Sequence, residues 1–330
     1  MRLCLRRREF IAGLSGVAAW PLAGRAQQPA MPVIGFLWGG SSQRMEPIIV
    51  AFRKGLSETG YVEGRSVAIE YRFAGDAYGR LPEMAADLVR RRVAVIAAPG
   101  TTLAAVAAKA ATRTIPIVFS TAADPVEVGL VDSINRPGGN VTGIGYMNTG
   151  LAAKRLGLLH ELLPGATRFA VLVNPDRLTT ASVVAQLQAA ASTIGRQVEV
   201  LGARTGREID IAFASFVQNR IGGLLINTDV LFLDRLEQIL TLTTRHAVAA
   251  IYPARFWAEA GGLMSYGSSF SDQIRQAGIY TGRVLKGEKP ADMPILRATK
   301  FEFVINLKAA KVLNLEFPRL LRALADEIIE

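Results

Sequence analysis

The residues with most chemistry to offer stand just after short apolar, β-branched runs. Thr101 and Thr102 follow the run from Val93 to Ala98, and Asp124 follows Ile115 to Phe119. Thr180 and Ser182 come after Arg168 to Val173, and Asp229 comes after Gly223 to Asn227. Each hydroxyl or carboxylate sits where a helical pattern begins. A helix start carries unpaired backbone N–H groups and the positive end of the helix dipole, a suitable seat for a carboxylate. An Asp at such a place suits an ammonium or hydroxyl group instead. The same residue types also cap helices without touching a ligand. Asp124, Pro125 and Glu127 fit N-cap, N1 and N3 of a capping box, and the other positions allow either role.

Aromatic and cationic groups stand at further run ends. Tyr252 and Arg255 close the run from Val248, and Tyr266 closes the next one. Tyr offers a ring face and one hydroxyl, and Arg pairs with acid groups. Trp38 ends the first run, where it either stacks on a ligand ring or fills the core; Phe256 and Trp257 read as packing. Catalytic signatures are missing from this inventory. Gly39-Gly40 is not part of a G-x-G-x-x-G turn, and neither a phosphate-binding loop nor a G-x-S-x-G elbow occurs. The two histidines, His160 and His246, do not stand at run ends as bases, and with Cys4 as the one cysteine no zinc set or disulfide can be assembled. The pattern points to binding rather than catalysis, with no cofactor and no metal.

The elements that must position these groups alternate regularly. Runs from Val33 to Leu37, Val67 to Arg72, Val93 to Ala98 and Ile115 to Phe119 read as strands. Helical patterns over 48–59, 80–91 and 101–111 separate them. The plan repeats beyond Leu151, with strands near 168–173, 197–201, 223–227, 248–252 and 263–266 and helices between them. A helix over 272–285, a Pro/Gly-punctuated segment over 287–294, a strand over 301–305 and a helical tail complete the chain. Such alternation implies an α/β fold with parallel βαβ units. We expect two Rossmann-like three-layer lobes joined by a hinge: 31–145 plus 267–291 in one, 146–266 plus 292–330 in the other. Ligands of open parallel sheets bind beyond the carboxyl ends of the strands, where the residues above stand.

The formal charge of +10 is less telling than it looks. Five arginines and one glutamate among residues 1–26 account for +4 of it, so +6 is spread over residues 27–330. No basic helix or basic-aromatic stripe emerges, which argues against nucleic-acid binding. Residues 1–26 have the layout of an export signal: Arg6-Arg7-Arg8, an apolar stretch from Phe10 to Leu22, and Gly24-Arg25-Ala26 with cleavage expected after Ala26. Arg7-Arg8-Glu9-Phe10-Ile11 resembles a twin-arginine (Tat) signal, and a basic head for the general secretory route is the alternative. Later apolar runs fall short of the ~20 residues that a spanning helix needs, so stable membrane insertion is not expected.

A family resemblance runs through nearly the whole chain beyond the signal. It rests on Gly60-Tyr61-Val62-Glu63-Gly64, Ile115-Pro116-Ile117-Val118-Phe119, Asp124-Pro125 with Gly129-Leu130-Val131, and Arg136-Pro137-Gly138-Gly139-Asn140-Val141-Thr142-Gly143. Further on it includes Asn227-Thr228-Asp229, Gly261-Gly262-Leu263-Met264-Ser265-Tyr266-Gly267, Leu285-Lys286-Gly287-Glu288-Lys289-Pro290-Ala291-Asp292 and Val304-Ile305-Asn306-Leu307-Lys308. In combination these resemble the ABC-transporter substrate-binding proteins of the tryptophan-binding TrpX type. The resemblance implies a type I periplasmic-binding-protein fold and a periplasmic, monomeric receptor that closes on a small solute. It also implies an inner-membrane ABC permease and its ATPase as partners. Amino-acid-binding members hold carboxylate and ammonium with strand-end Ser/Thr and Asp, matching Thr101, Asp124, Ser182 and Asp229. The chain departs from the tryptophan-binding pattern around Trp38 and from Tyr252 to Trp257. An aromatic amino acid, an aliphatic one or another small organic acid therefore all fit. A sensory partner in place of the permease, or a periplasmic enzyme on the same scaffold, are the competing readings.

Overall fold

The computed structural model describes residues 31–42, 45–75, 77–146, 148–298 and 300–330. The expected export signal at 1–26, with Cys4 and the cleavage point after Ala26, lies outside the described residues. Pro32–Glu330 form one unit of the chain.

Alternation within strands sets the layers. In β1 (Val33–Trp38), Ile34, Phe36 and Trp38 face one core while Leu37 faces the other. Successive side chains of a strand point to opposite faces, so a run apolar at every position must be covered on both. Helices α1 (Glu46–Glu58) and α2 (Leu81–Arg90) supply the two covers, before and after β2 (Ala68–Phe73). β3 (Val95–Pro99), α3 (Thr102–Ala111), β4 (Ile117–Thr121) and β5 (Val141–Gly145) follow.

The chain then enters a second set: α4 (Ala152–Leu162), β6 (Arg168–Val173), α5 (Thr180–Thr193), β7 (Gln197–Gly202), α6 (Gly206–Gln218) and β8 (Gly223–Ile226). It continues through α7 (Val230–Asp234), α8 (Leu236–Arg245), β9 (Ala249–Tyr252), α9 (Arg255–Glu259) and β10 (Met264–Ser268). α10 (Phe270–Leu285) and β11 (Leu296–Arg297) come next, then β12 (Phe301–Asn306), α11 (Leu307–Val312), α12 (Arg319–Leu324) and β13 (Glu327–Ile329). Among the described residues the strands form two sheets, ordered β11-β5-β4-β3-β1-β2 and β13-β12-β10-β9-β8-β6-β7. Every pairing between strands is parallel except β10 with β12.

α10 returns from the second sheet to cover the first, and it does so at close range. A Cβ on Gly55 of α1 would lie 1.9 Å from the Arg275 carbonyl oxygen, and one on Gly278 would lie 2.2 Å from that of Phe52. Only glycine lets the two backbones approach this closely. Ile274, Ala277 and Val284 thereby join Phe36, Phe52 and Leu56 in one core.

Several expectations need correction. No helix follows Asp124. Its carboxylate accepts from the Val126 and Glu127 amides (2.8 and 3.3 Å), but the chain stays in turns because Gly129 takes a left-handed φ of 69°. Strand β5 lies within Gly138 to Gly145, and the segment after β8 holds two helices, α7 and α8, rather than one. β11 pairs with β5 of the first sheet, so the segment just beyond Asp292 belongs with that sheet rather than with the second.

Candidate functional site

The strand ends converge on a cavity between the two sheets. Its wall from the first sheet is the β3–α3 turn, Gly100 to Leu103, with Ala122 and Tyr146. Thr101 is the N-cap of α3 by backbone geometry, yet its side chain makes no capping bond. Its hydroxyl oxygen instead accepts from the Gly39 amide at 3.4 Å, and the Thr102 and Thr121 hydroxyls bond at 2.6 Å. The first-turn amides of this ten-residue helix are thus left without a side-chain cap, an arrangement that favours an anion.

The second sheet contributes Asn227, Thr228 and Asp229 after β8, and Arg177 to Thr179 after β6. Asp229 caps α7 through Leu231 N (2.7 Å) and forms an ion pair with Arg177 Nε. Tyr78, from a short turn beyond β2, donates to Asp229 Oδ1 at 3.3 Å, and Arg177 Nη2 donates to the Tyr78 hydroxyl at the same distance. The Arg177 guanidinium also lies over the Tyr78 ring, 4.6 Å from its centroid. Burial pulls the Arg177 pKa down, but the Asp229 carboxylate and the Tyr78 hydroxyl outweigh it, and the net shift is upward. Arg177 therefore stays charged, and the pair is neutral as a whole.

Phe256, Trp257 and Phe270 join Tyr146 as aromatic lining, beside Asn148, Pro253 and aliphatic residues such as Val230 and Leu233. Phe256 stacks near Trp257 (6.1 Å) and meets Phe270 edge-on (6.0 Å). Burial pushes the Tyr146 phenol pKa up, so it remains a neutral hydroxyl. The cavity encloses about 60 Å³, room for a few water molecules only. The two sheets' residues are in contact around it. Ser41 N donates to Asp234 Oδ2 at 2.7 Å, and Val230 packs into the core of Trp38 and Met45. A neighbouring cavity of about 430 Å³ shares Leu233, Ala254, Phe256 and Phe270 with it.

Of the expected residues, Thr101, Thr102 and Asp229 are brought together here. Trp38 is not: at 1 % exposure it belongs to the first core, beneath Gly100. Tyr252 faces the core of the second sheet, stacked on Trp257, with its hydroxyl donating to Thr243. Asp124 caps its own turn outside the cavity wall, and Thr180 spends its hydroxyl on the Asn174 carbonyl (2.6 Å). Ser182 accepts from Gln186 within α5, because that helix begins at Thr180. Arg255 pairs with Glu259 and Glu327 and borders the neighbouring cavity, while Tyr266 stacks near Phe301 on another face. Arg177, Tyr78 and Tyr146 were not singled out by the sequence, Asn227 and Thr228 entered only as part of the family pattern, and Phe256 and Trp257, read as packing, line the cavity. Arg177 did carry a signal: it is the one cation in the loop between β6 and α5.

Among the described residues, no group of His, Cys, Asp and Glu is placed to hold a metal ion, and no helix is long and apolar enough to cross a membrane. Two mostly parallel sheets with helices, and strand ends meeting at a shared cavity, define the type I periplasmic-binding-protein fold. The ABC transporter substrate binding protein family matches residues 41–329, and the chain belongs to that family. Proteins of this family bind substrates for ABC transporters. A tyrosine-binding protein of Clostridioides difficile (strain R20291) is 28% identical over 266 residues, which cover 80% of this chain and 76% of that one. The structure of an ABC domain in complex with L-Trp from Streptococcus pneumonia shares 24% identity over 90% of this chain and 99% of that one, with a TM-score of 0.82. A ligand-free, open substrate binding protein with adhesive properties from Clostridium difficile shares 25% identity over 87% and 96%, with a TM-score of 0.62.

Proposed function

We propose that this chain is the exported receptor of an ABC importer. In this reading it captures a small acid with an apolar or aromatic side group and delivers it to an inner-membrane permease. The observation that carries the reading is the division of labour around the cavity. An uncapped helix start at Thr101 to Leu103 suits a carboxylate, and Tyr146, Phe256, Trp257 and Phe270 suit an apolar side group. The tyrosine-binding and L-Trp-bound relatives support an aromatic amino acid as the first candidate. Thr101, Thr102 and Asp229 are the expected residues we retain as ligand neighbours.

The first sheet with α10 and β11 forms one lobe in this reading, and the second sheet forms the other. The chain follows the L-Trp-bound relative at a TM-score of 0.82 and the open, ligand-free one at 0.62, in keeping with lobes drawn together; the cavity of about 60 Å³ must widen toward its neighbour of about 430 Å³ to seat a ligand of that size. Ligand would shift the open–closed balance by its greater affinity for the closed form.

Thermal-shift measurements with L-tryptophan, L-tyrosine, L-phenylalanine, L-leucine and a set of organic acids test this. A ligand at about 100 times its Kd adds about 2.7 kcal/mol of stability. A full panel without a shift would overturn the reading.

A further inference from the structure

The cavity contains two polar atoms that none of the described residues satisfies. Asn227 Oδ1 and Thr228 Oγ1 are buried without a hydrogen-bond partner, and both residues line the cavity. Asn227 is only 4 % exposed. A buried acceptor left unpaired carries its full desolvation cost, so such atoms mark where an absent donor belongs. The adjacent Asp229 is differently placed. Its Oδ1 accepts from the Leu231 amide and the Tyr78 hydroxyl, and its Oδ2 accepts from Arg177. Its charge is balanced and its acceptor sites are largely occupied.

Resting on the reading of this cavity as an amino- or organic-acid site, we propose that Asn227 and Thr228, rather than Asp229, receive the donor beside the ligand's carboxylate. The carboxylate lies at the α3 start, and the α-substituent points to β8. A free carboxylate acceptor would select an ammonium by charge. A neutral amide oxygen and a hydroxyl accept from an ammonium or an alcohol alike. The site is thereby built for α-amino acids and for the matching α-hydroxy acids.

Isothermal titration of the full chain with L-tryptophan, L-tyrosine and L-phenylalanine, and with their 2-hydroxy-acid analogues, tests this together with three variants. For an amino acid that binds, the analogue is expected within about tenfold in Kd. Thr228→Val should weaken binding about tenfold or more, the cost of removing one acceptor. Its unliganded melting temperature should hold or rise, because an unsatisfied buried hydroxyl is gone. Asn227→Leu should weaken binding similarly, and Thr228→Ser should retain it. An analogue more than about tenfold weaker, or Thr228→Val binding like the wild type, overturns the proposal while leaving the amino-acid reading intact. A lower unliganded melting temperature in Thr228→Val also overturns it, since the hydroxyl would then be structural. Failure of the wild-type chain to bind any of the panel defeats the underlying reading, and this proposal with it.

Discussion

The Tyr78 hydroxyl donates to Asp229 Oδ1 at 3.3 Å, joining a turn beyond β2 of the first sheet to the end of β8 in the second. Asp229 is the point where a helix cap, an ion pair and a contact between the two sheets coincide. Removing any one of them should therefore be felt in more than one measurement.

Asp229→Ala leaves the Arg177 guanidinium buried without its counter-charge and uncaps α7. Breaking one side of a buried pair costs about 3–5 kcal/mol, and the side chains here are 1% and 10% exposed. Urea denaturation of the unliganded chain should show a loss of that order. Asp229→Asn, which retains a capping oxygen, should lose charge compensation but keep the cap worth about 1 kcal/mol. Equal stability of Asp229→Ala and wild type would exclude the pair as a structural element.

Tyr78→Phe keeps the ring beneath Arg177 but removes the hydroxyl that bridges the sheets. A hydrogen bond to a charged group contributes about 1.5–3 kcal/mol. The unliganded variant should shift toward an open form, seen as a larger radius of gyration in small-angle scattering. Scattering curves that superpose on the wild type would remove Tyr78 from closure.

Gly278→Ala tests the approach of α1 and α10. The added methyl would meet the Phe52 carbonyl at 2.2 Å, and that oxygen is backbone within a helix, so the helices must separate. Overpacking of this kind costs about 1–3 kcal/mol. Thermal melts should show the loss with and without ligand, because neither helix backbone contributes to the cavity wall at that point.

Arg155 provides a pH test. It is fully buried, its Nε donates to the Tyr266 carbonyl at 2.7 Å, and burial lowers its pKa to about 9. A base with a folded pKa below its unfolded one binds fewer protons when folded between those values, so its burial penalty is relieved as pH rises. The penalty is complete below about pH 9 and shrinks as the pH rises beyond it. Arg155→Met should therefore show its largest stability advantage over wild type near pH 7 and a smaller one at pH 10.5. A difference independent of pH over that interval would show that Arg155 does not titrate there.

The architecture was largely legible because strand and helix periods are written in the apolar residues. β6, for instance, runs from Arg168 to Val173 as its apolar pattern indicates. What periodicity cannot give is which side of a sheet the last residue of a strand faces. Trp38 and Tyr252 both end strands, and parity turns each into a core rather than into the cavity. Helix starts were equally treacherous. α5 begins two residues before Ser182, so a residue expected at the helix mouth is inside the first turns. Asp124 caps as its spacing suggests, but capping chemistry does not guarantee that a helix follows. Arg177 and Tyr78 meet Asp229 from 52 and 151 residues away in sequence, and no local pattern encodes such a meeting.

The late return of α10 and β11 to the first sheet has a consequence for biosynthesis. Ile34, Phe36 and Phe52 are made early, but Ile274, Ala277 and Val284 complete their core. A nascent chain that has emerged only as far as Tyr266 has an uncovered apolar face on its earlier half, while most of its later sheet is already available. The early half therefore needs protection from aggregation until α10 has left the ribosome.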